Sequence, residues 1–80
     1  MTGSDVLLAN MRRGERGRVV RVNRDLTGRA ERLSALGVTP GAAIQVLQRF
    51  PAIVFECDQT EIAIEHTMAM AVLIQPITDR

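Results

Sequence analysis

The apolar positions fall into short runs separated by glycine, proline and charge, and the first of these is Leu7, Leu8 and Met11. Residues 1–5 ahead of it are small or polar and are expected to form a frayed tail. Gly14 and Gly17 bracket a turn, after which Arg18 to Val22 is β-branched and interrupted by arginine, the mark of a strand. Val19, Val20 and Val22 break strict alternation, so the strand either carries a bulge or is partly covered on both faces. Helical spacing follows. Leu26, Ala30 and Leu33 recur at i, i+4 and i+7, which predicts a helix over Thr27 to Leu36, with Thr27 or Asp25 available to cap its first turn. Gly37 stands where a helix leaves through a left-handed residue, and Val38 would then pack back on Leu33. About ten residues cannot hold a helix alone in water, so its apolar side must dock on a sheet.

Beyond the helix the period changes to two. Pro40-Gly41 reads as a type II turn, with proline setting φ at its second position and glycine supplying positive φ at its third. Ala43 to Gln48 follows, with Ile44 and Val46 on one face and Leu47 on the other; Phe50-Pro51-Ala52 ends it. Ile53, Phe55 and Cys57 share a face of the next strand, Asp58 and Gln59 form a hairpin tip, and the return strand holds Ile62 and Ile64. A turn or helical twist at His66 to Ala69 leads to a last strand with Val72 and Ile74 inward, ended by Pro76. The expected fold is all-β. It has about five short strands in a small barrel or sandwich, with one short α-helix between the first two.

Composition narrows the picture. Eighty residues make one domain over 1–80. A core this small supplies only about 3–5 kcal/mol without a covalent or metal staple. Cys57 is the single cysteine, so no internal disulfide forms, which favours a cytosolic setting. The amino end lacks the basic and apolar regions of a signal peptide, and no apolar run approaches the roughly 18–20 residues of a membrane span. Net charge is +1 but uneven: Arg12 to Arg32 holds eight arginines against Glu15, Asp25 and Glu31, whereas five acids face two arginines from Gln45 onward. An arginine-rich half suits an acidic protein, nucleic acid or an anionic membrane surface, or is simply a solvated face.

Candidate chemistry is sparse. Gly14-Glu-Arg-Gly17 lacks the lysine and spacing of a phosphate loop. A nucleophile–base pair would need Cys57 beside His66, yet Cys57 alternates with Phe55 and Ile53 and so points inward. No catalytic residue and no cofactor are expected. Metal ligands need to converge in threes or fours. Cys57 lies on the core side, so Glu61, Glu65 and His66 are the residues to test for a cation. For single-stranded nucleic acid, stacking platforms are short: Phe50 and Phe55 are the only aromatics, and Phe55 reads as core.

The stretch Arg32-Leu33-Ser34-Ala35-Leu36-Gly37-Val38-Thr39-Pro40-Gly41 resembles the R-L-x-x-L-G-[apolar]-x-P-G signature of the ferrous iron transport protein A (FeoA) family. Gly14, Gly17, Arg18, Val19 and Val20 match that family's glycine-rich lead into its first strand, Ile62-Ala63-Ile64 a later strand, and Ala69, Val72 and Ile74 its closing one. The resemblance runs from about Leu7 to Ile74. It implies an SH3-like β-barrel, a cytoplasmic protein, and as partner the membrane ferrous iron transporter with its GTP-binding domain. It further implies an accessory or regulatory role in bacterial ferrous iron uptake. The same domain closes iron-dependent repressors, but 80 residues leave no room for their helix-turn-helix, which favours the free-standing form. One departure stands out. The family often has glycine at the hairpin tip, where Gln59 stands here; a left-handed glutamine costs about 1–2 kcal/mol, so a turn other than type I′ is expected, and family details are not carried onto residues 57–61.

Protein docking is then the leading expectation. Leu47, Phe50 and Val54 would make an apolar patch rimmed by arginine, unless the helix or Leu7 and Leu8 cover it. Arg29 and Arg32, one helical turn apart, would jointly grip a carboxylate. Leu33, Leu36, Gly37, Pro40 and Gly41 read as structural: docking, capping and turn geometry. The rivals are a small nucleic-acid-binding barrel and an Fe²⁺-responsive sensor domain. Weak self-association is compatible with all three.

Overall fold

The computed structural model describes residues 4–23 and 28–77. Six strands, β1 (Val6–Leu7), β2 (Arg16–Val22), β3 (Ala43–Gln48), β4 (Ile53–Cys57), β5 (Thr60–Ile64) and β6 (Val72–Ile77), form one antiparallel sheet. Their order is β1-β6-β2-β3-β4-β5. A 3-10 turn, Leu8–Asn10, follows β1; helix α1 (Arg29–Ala35) joins β2 to β3, and one-turn helix α2 (His66–Ala69) joins β5 to β6. The chain is thus mostly β, as its period-two stretches require.

Four expectations change. The sheet has six strands, because Val6 and Leu7 pair with Ile74 and Leu73 as a two-residue strand too short to show a period. The helix consequently lies between the second and third strands, and α2 adds a second. The sheet is also open, with β1 and β5 as its edges among the described residues. Proline does not end β6: Pro76 pairs with Gly17. Pairing with β1 stops at Val6, so β6 there has a single neighbour and tolerates a residue without an N–H.

Periodicity builds the core. Val19, Ile44, Val46, Ile53, Phe55, Cys57, Ile62, Ile64, Val72 and Ile74 project from the sheet to one side and are all buried. Leu8 and Met11 close over them from the amino end, Leu33 and Val38 from the helix, and Met68 and Ala69 from α2. Among the described residues no polar or charged side chain is buried with them. Gly17 is in β2 rather than a turn, because a Cβ there would meet Ile74 Cγ2 and stand 2.7 Å from the Gln75 carbonyl oxygen; only glycine lets β6 come this close.

The open question about β2 resolves as a bulge, and β3 carries a second. The β2–β6 register steps from Val19↔Ile74 to Arg21↔Leu73, leaving Val20 as the extra residue, 40% exposed. The β3–β4 register likewise steps past Leu47.

Candidate functional site

Helix α1 ends as a Schellman motif. Gly37 takes φ +92°, its N–H donates to the Ser34 carbonyl at 3.0 Å, and the Val38 N–H donates to the Leu33 carbonyl at 2.9 Å. That wrap buries Leu33 and Val38 together, as their spacing requires. The Pro40-Gly41 turn closes with Ala42 N–H on the Thr39 carbonyl at 3.0 Å, and Gly41 also sits at φ +92°. Gly41 N–H then donates to Val19 at 2.7 Å, and Arg18 reaches the Gly41 carbonyl through Nη1 at 3.1 Å, so the turn is tied to β2. Leu36 is the exception in the motif. It lies at the helix C-cap, 48% exposed, and packs nothing into the core; the Schellman wrap turns Val38 inward in its place. The helix begins at Arg29 after Gly28, which occupies the N-cap with φ +79° and no side-chain cap; Asp25, Leu26 and Thr27 lie outside the described residues.

This motif does more than shape the backbone. Ser34, Val38, Thr39 and Pro40 line a cleft of ≈ 250 Å³ together with Ala30 and with Arg21 and Val22 at the end of β2. Sequence reading assigned the motif to structure alone and missed this wall. The signal was the pair of hydroxyls, Ser34 and Thr39, set between apolar anchors. Arg29 is half-buried and Arg32 exposed on the same helix.

The second predicted surface lies elsewhere. Phe50, in the β3–β4 loop, is 80% exposed, so nothing among the described residues covers it. Leu47 and Val54 are half-buried beside the β3 bulge, and Gln48 Nε2 donates to the Phe50 carbonyl at 2.8 Å. Leu8 is spent in the core, and Leu7 pairs at the far edge of the sheet, so neither covers this patch. The helix exit touches the other end of β4, where the Cys57 thiol lies 3.5 Å from the Gly37 carbonyl. The exit of α1 and the Phe50 patch therefore lie at opposite ends of β4, and the helix and the patch form two surfaces.

His66 turns its Nε2 to the Arg49 carbonyl at 2.9 Å, and Arg49 donates through Nη2 to the Ala9 carbonyl at 3.0 Å, which fastens α2 and the β3–β4 loop to the 3-10 turn. Glu61 lies on β5 opposite Glu56, and Glu65 precedes α2, its carbonyl accepting from the Ala69 N–H. Among the described residues no three His, Cys, Asp or Glu side chains converge on a point that would hold a metal ion. Cys57 is buried, and burial pushes its thiol pKa up, with Asp58 adding to the shift; it stands at the hairpin end of β4, away from His66 at the loop end. Among the described residues no helix is long and apolar enough to cross a membrane.

The hairpin tip departs from expectation. Asp58 and Gln59 both take positive φ, 50° and 69°, between the paired residues Cys57 and Thr60: a type I′ pattern without glycine. Two-residue loops need that hand of twist, and ten residues of paired strand impose it on the glutamine.

Comparison with known proteins places this fold. Among the curated proteins none matches the chain significantly. Among solved structures, an iron uptake regulatory protein (FeoA) superposes with a TM-score of 0.84 at 30% identity, covering 92% of this chain and 100% of that one. A zinc-complexed FeoA of Stenotrophomonas maltophilia, described as a procaryotic SH3 domain protein and proposed as a ferrous iron transport activating factor, gives 0.77 at 19% identity, covering 86% and 88%. A manganese-dependent transcriptional repressor gives 0.86 at 20% identity, covering 96% of this chain but 44% of that one, and so shares the fold alone. The open six-stranded sheet is thus SH3-like. The FeoA domain family matches residues 6–76, nearly the whole chain, and the protein belongs to that family.

Proposed function

We propose that this protein is an accessory factor of ferrous iron uptake that acts in the cytoplasm by docking on the soluble, GTP-binding part of the membrane transporter. The observation that carries the reading is the family match over residues 6–76, supported by the full-length likeness to an iron uptake regulatory protein. Two surfaces are suited to docking: an exposed Phe50 beside Leu47 and Val54 at one end of β4, and the cleft between α1 and the end of β2 with the arginines of the helix. Buried aromatic side chains and arginines are common anchors of protein interfaces. A stacking platform for nucleic acid is thin by comparison, because Phe55 is fully buried and Phe50 stands alone.

The test is co-purification with the transporter's cytosolic domain, without nucleotide and with GDP or a GTP analogue. Retention in at least one state, weakened by Phe50→Ala or by Arg32→Glu, is expected. Absence of a complex in every state overturns the reading.

A further inference from the structure

Strand β5 is the last strand of the sheet, and among the described residues nothing pairs with its outer side. The register identifies the backbone groups that lie there. A two-residue tip makes Cys57 and Thr60 the closing hydrogen-bonded pair, and antiparallel pairing alternates from that point. Phe55 with Ile62 and Ile53 with Ile64 are then bonded pairs, whereas Glu56 with Glu61 and Val54 with Ala63 are not. The N–H and C=O groups of Glu61 and Ala63 therefore point away from β4, along the free edge.

Such an edge pairs promiscuously unless something guards it. Here the guard is negative charge. Glu61 sits directly opposite Glu56 in a non-bonded pair, the geometry that brings side chains closest. Both carboxylates belong to one cross-strand row of the sheet. The cation of the same row is Arg16, two strands beyond Glu56 across Gln45, and Arg16 and Glu56 line one cleft. The row is thus short of one positive charge, on the open side. Next to it exposed Ala63 lies opposite half-buried Val54, a small apolar patch on the same face.

The geometry points to β5 as an acceptor for an extended segment of another protein, added antiparallel, with a bulky apolar residue over Ala63 and an arginine or lysine beside Glu61. The backbone groups of Glu61 and Ala63 bind the segment's main chain, and the Glu56–Glu61 pair selects the basic residue. A second copy of this chain is the wrong occupant. Antiparallel pairing of two β5 edges sets the two Glu61 carboxylates face to face or diagonally adjacent, and like charges so placed repel. The edge lies apart from α1 and shares Val54 with the Phe50 patch, but its backbone groups belong to β5, so the inference stands whether or not the iron-uptake role does.

The experiment is an NMR titration of the full chain with the blocked peptide Ser-Phe-Val-Arg-Val-Thr and with its counterpart carrying glutamate for arginine. The expected result is saturable binding of the arginine peptide, shifts centred on the Glu61 and Ala63 amides, and at least about tenfold weaker binding of the glutamate peptide. Glu61→Lys should exchange the two preferences while leaving the spectrum folded, and Ala63→Pro, which deletes an outward N–H without touching the β4 ladder, should abolish binding by both. Shifts centred on the α1 cleft, equal binding of the two peptides, no saturation at millimolar peptide, or a peptide-free dimer joined at β5 would each overturn the proposal.

Discussion

Gly37 and Gly41 redirect the chain at φ +92°, each through a glycine; Asp58 and Gln59 redirect it at +50° and +69° without one. The first pair serves local structure. Gly37 ends a helix and Gly41 closes a four-residue turn, each fixed by a bond within a few residues, Val38 N–H on the Leu33 carbonyl and Ala42 N–H on the Thr39 carbonyl. The hairpin tip has no such local preference. Its conformation follows from β4 and β5, whose inward residues Ile53, Phe55, Cys57, Ile62 and Ile64 must all face the core. A one-residue slip would expose the whole set, so the register holds and the tip absorbs the strain. Turns coded by residue type and turns imposed by packing therefore respond to substitution in opposite ways.

The comparison breaks most visibly in the core that imposes the tip. Phe55 is fully buried, and Phe55→Ala should cost about 3–5 kcal/mol. That is the whole margin expected of such a domain, so circular dichroism should show a largely unfolded chain. A folded variant with an unchanged urea midpoint would mean that β4 does not set the register. Next in size is Gly37→Ala. An added Cβ meets open space, so the loss is backbone strain alone, about 1–2 kcal/mol by urea titration. A neutral result would show that the helix exit is not held left-handed.

At the tip the sign reverses. Gln59→Gly relieves a left-handed glutamine at some cost in chain entropy, so a net gain of about 0.5–1 kcal/mol is expected. Lost stability would mean that the glutamine side chain supports the turn. The smallest effect sits between the two regions, at Cys57, whose thiol faces Gly37 from the end of β4. Its pKa is raised by burial and by Asp58, so the folded chain keeps the proton longer than the unfolded one. The resulting stabilisation is complete below the unfolded value near pH 8.5–9 and fades as pH rises through the folded value. The chain has no lysine and no tyrosine, so between about pH 8.5 and 10 this thiol is the main group to titrate. The urea midpoint should fall modestly over that range in the native chain and stay flat in Cys57→Ala.

Much of the arrangement was legible beforehand. The bounds of β3 and β4, the tip at Asp58 and Gln59, the twist at His66 to Ala69 and the helix exit all follow from period and punctuation. The site was less so. The motif around Leu33 read as scaffold, yet its Ser34, Val38 and Thr39 wall a cleft that needs Arg21 and Val22 from a strand a dozen residues earlier. The arginine pair and the Phe50 patch each read as candidates, but only the tertiary structure shows the exit of α1 and the Phe50 loop at opposite ends of β4. Leu36 reads with the motif as structural, yet it lies at the helix C-cap, 48% exposed, while Val38 packs inward.

By itself the sequence determined whatever depends on neighbours along the chain: which residues alternate, where a glycine frees the backbone, where proline fixes it, and the signature that marks the family. Tertiary structure decided the rest. It recruited Val6 and Leu7 as a strand, turned Val20 and Leu47 into bulges, held Gln59 left-handed and left β5 as an acidic edge. Each of these outcomes is set by pairing between distant segments, where burying a shared core outweighs the preference of any single residue.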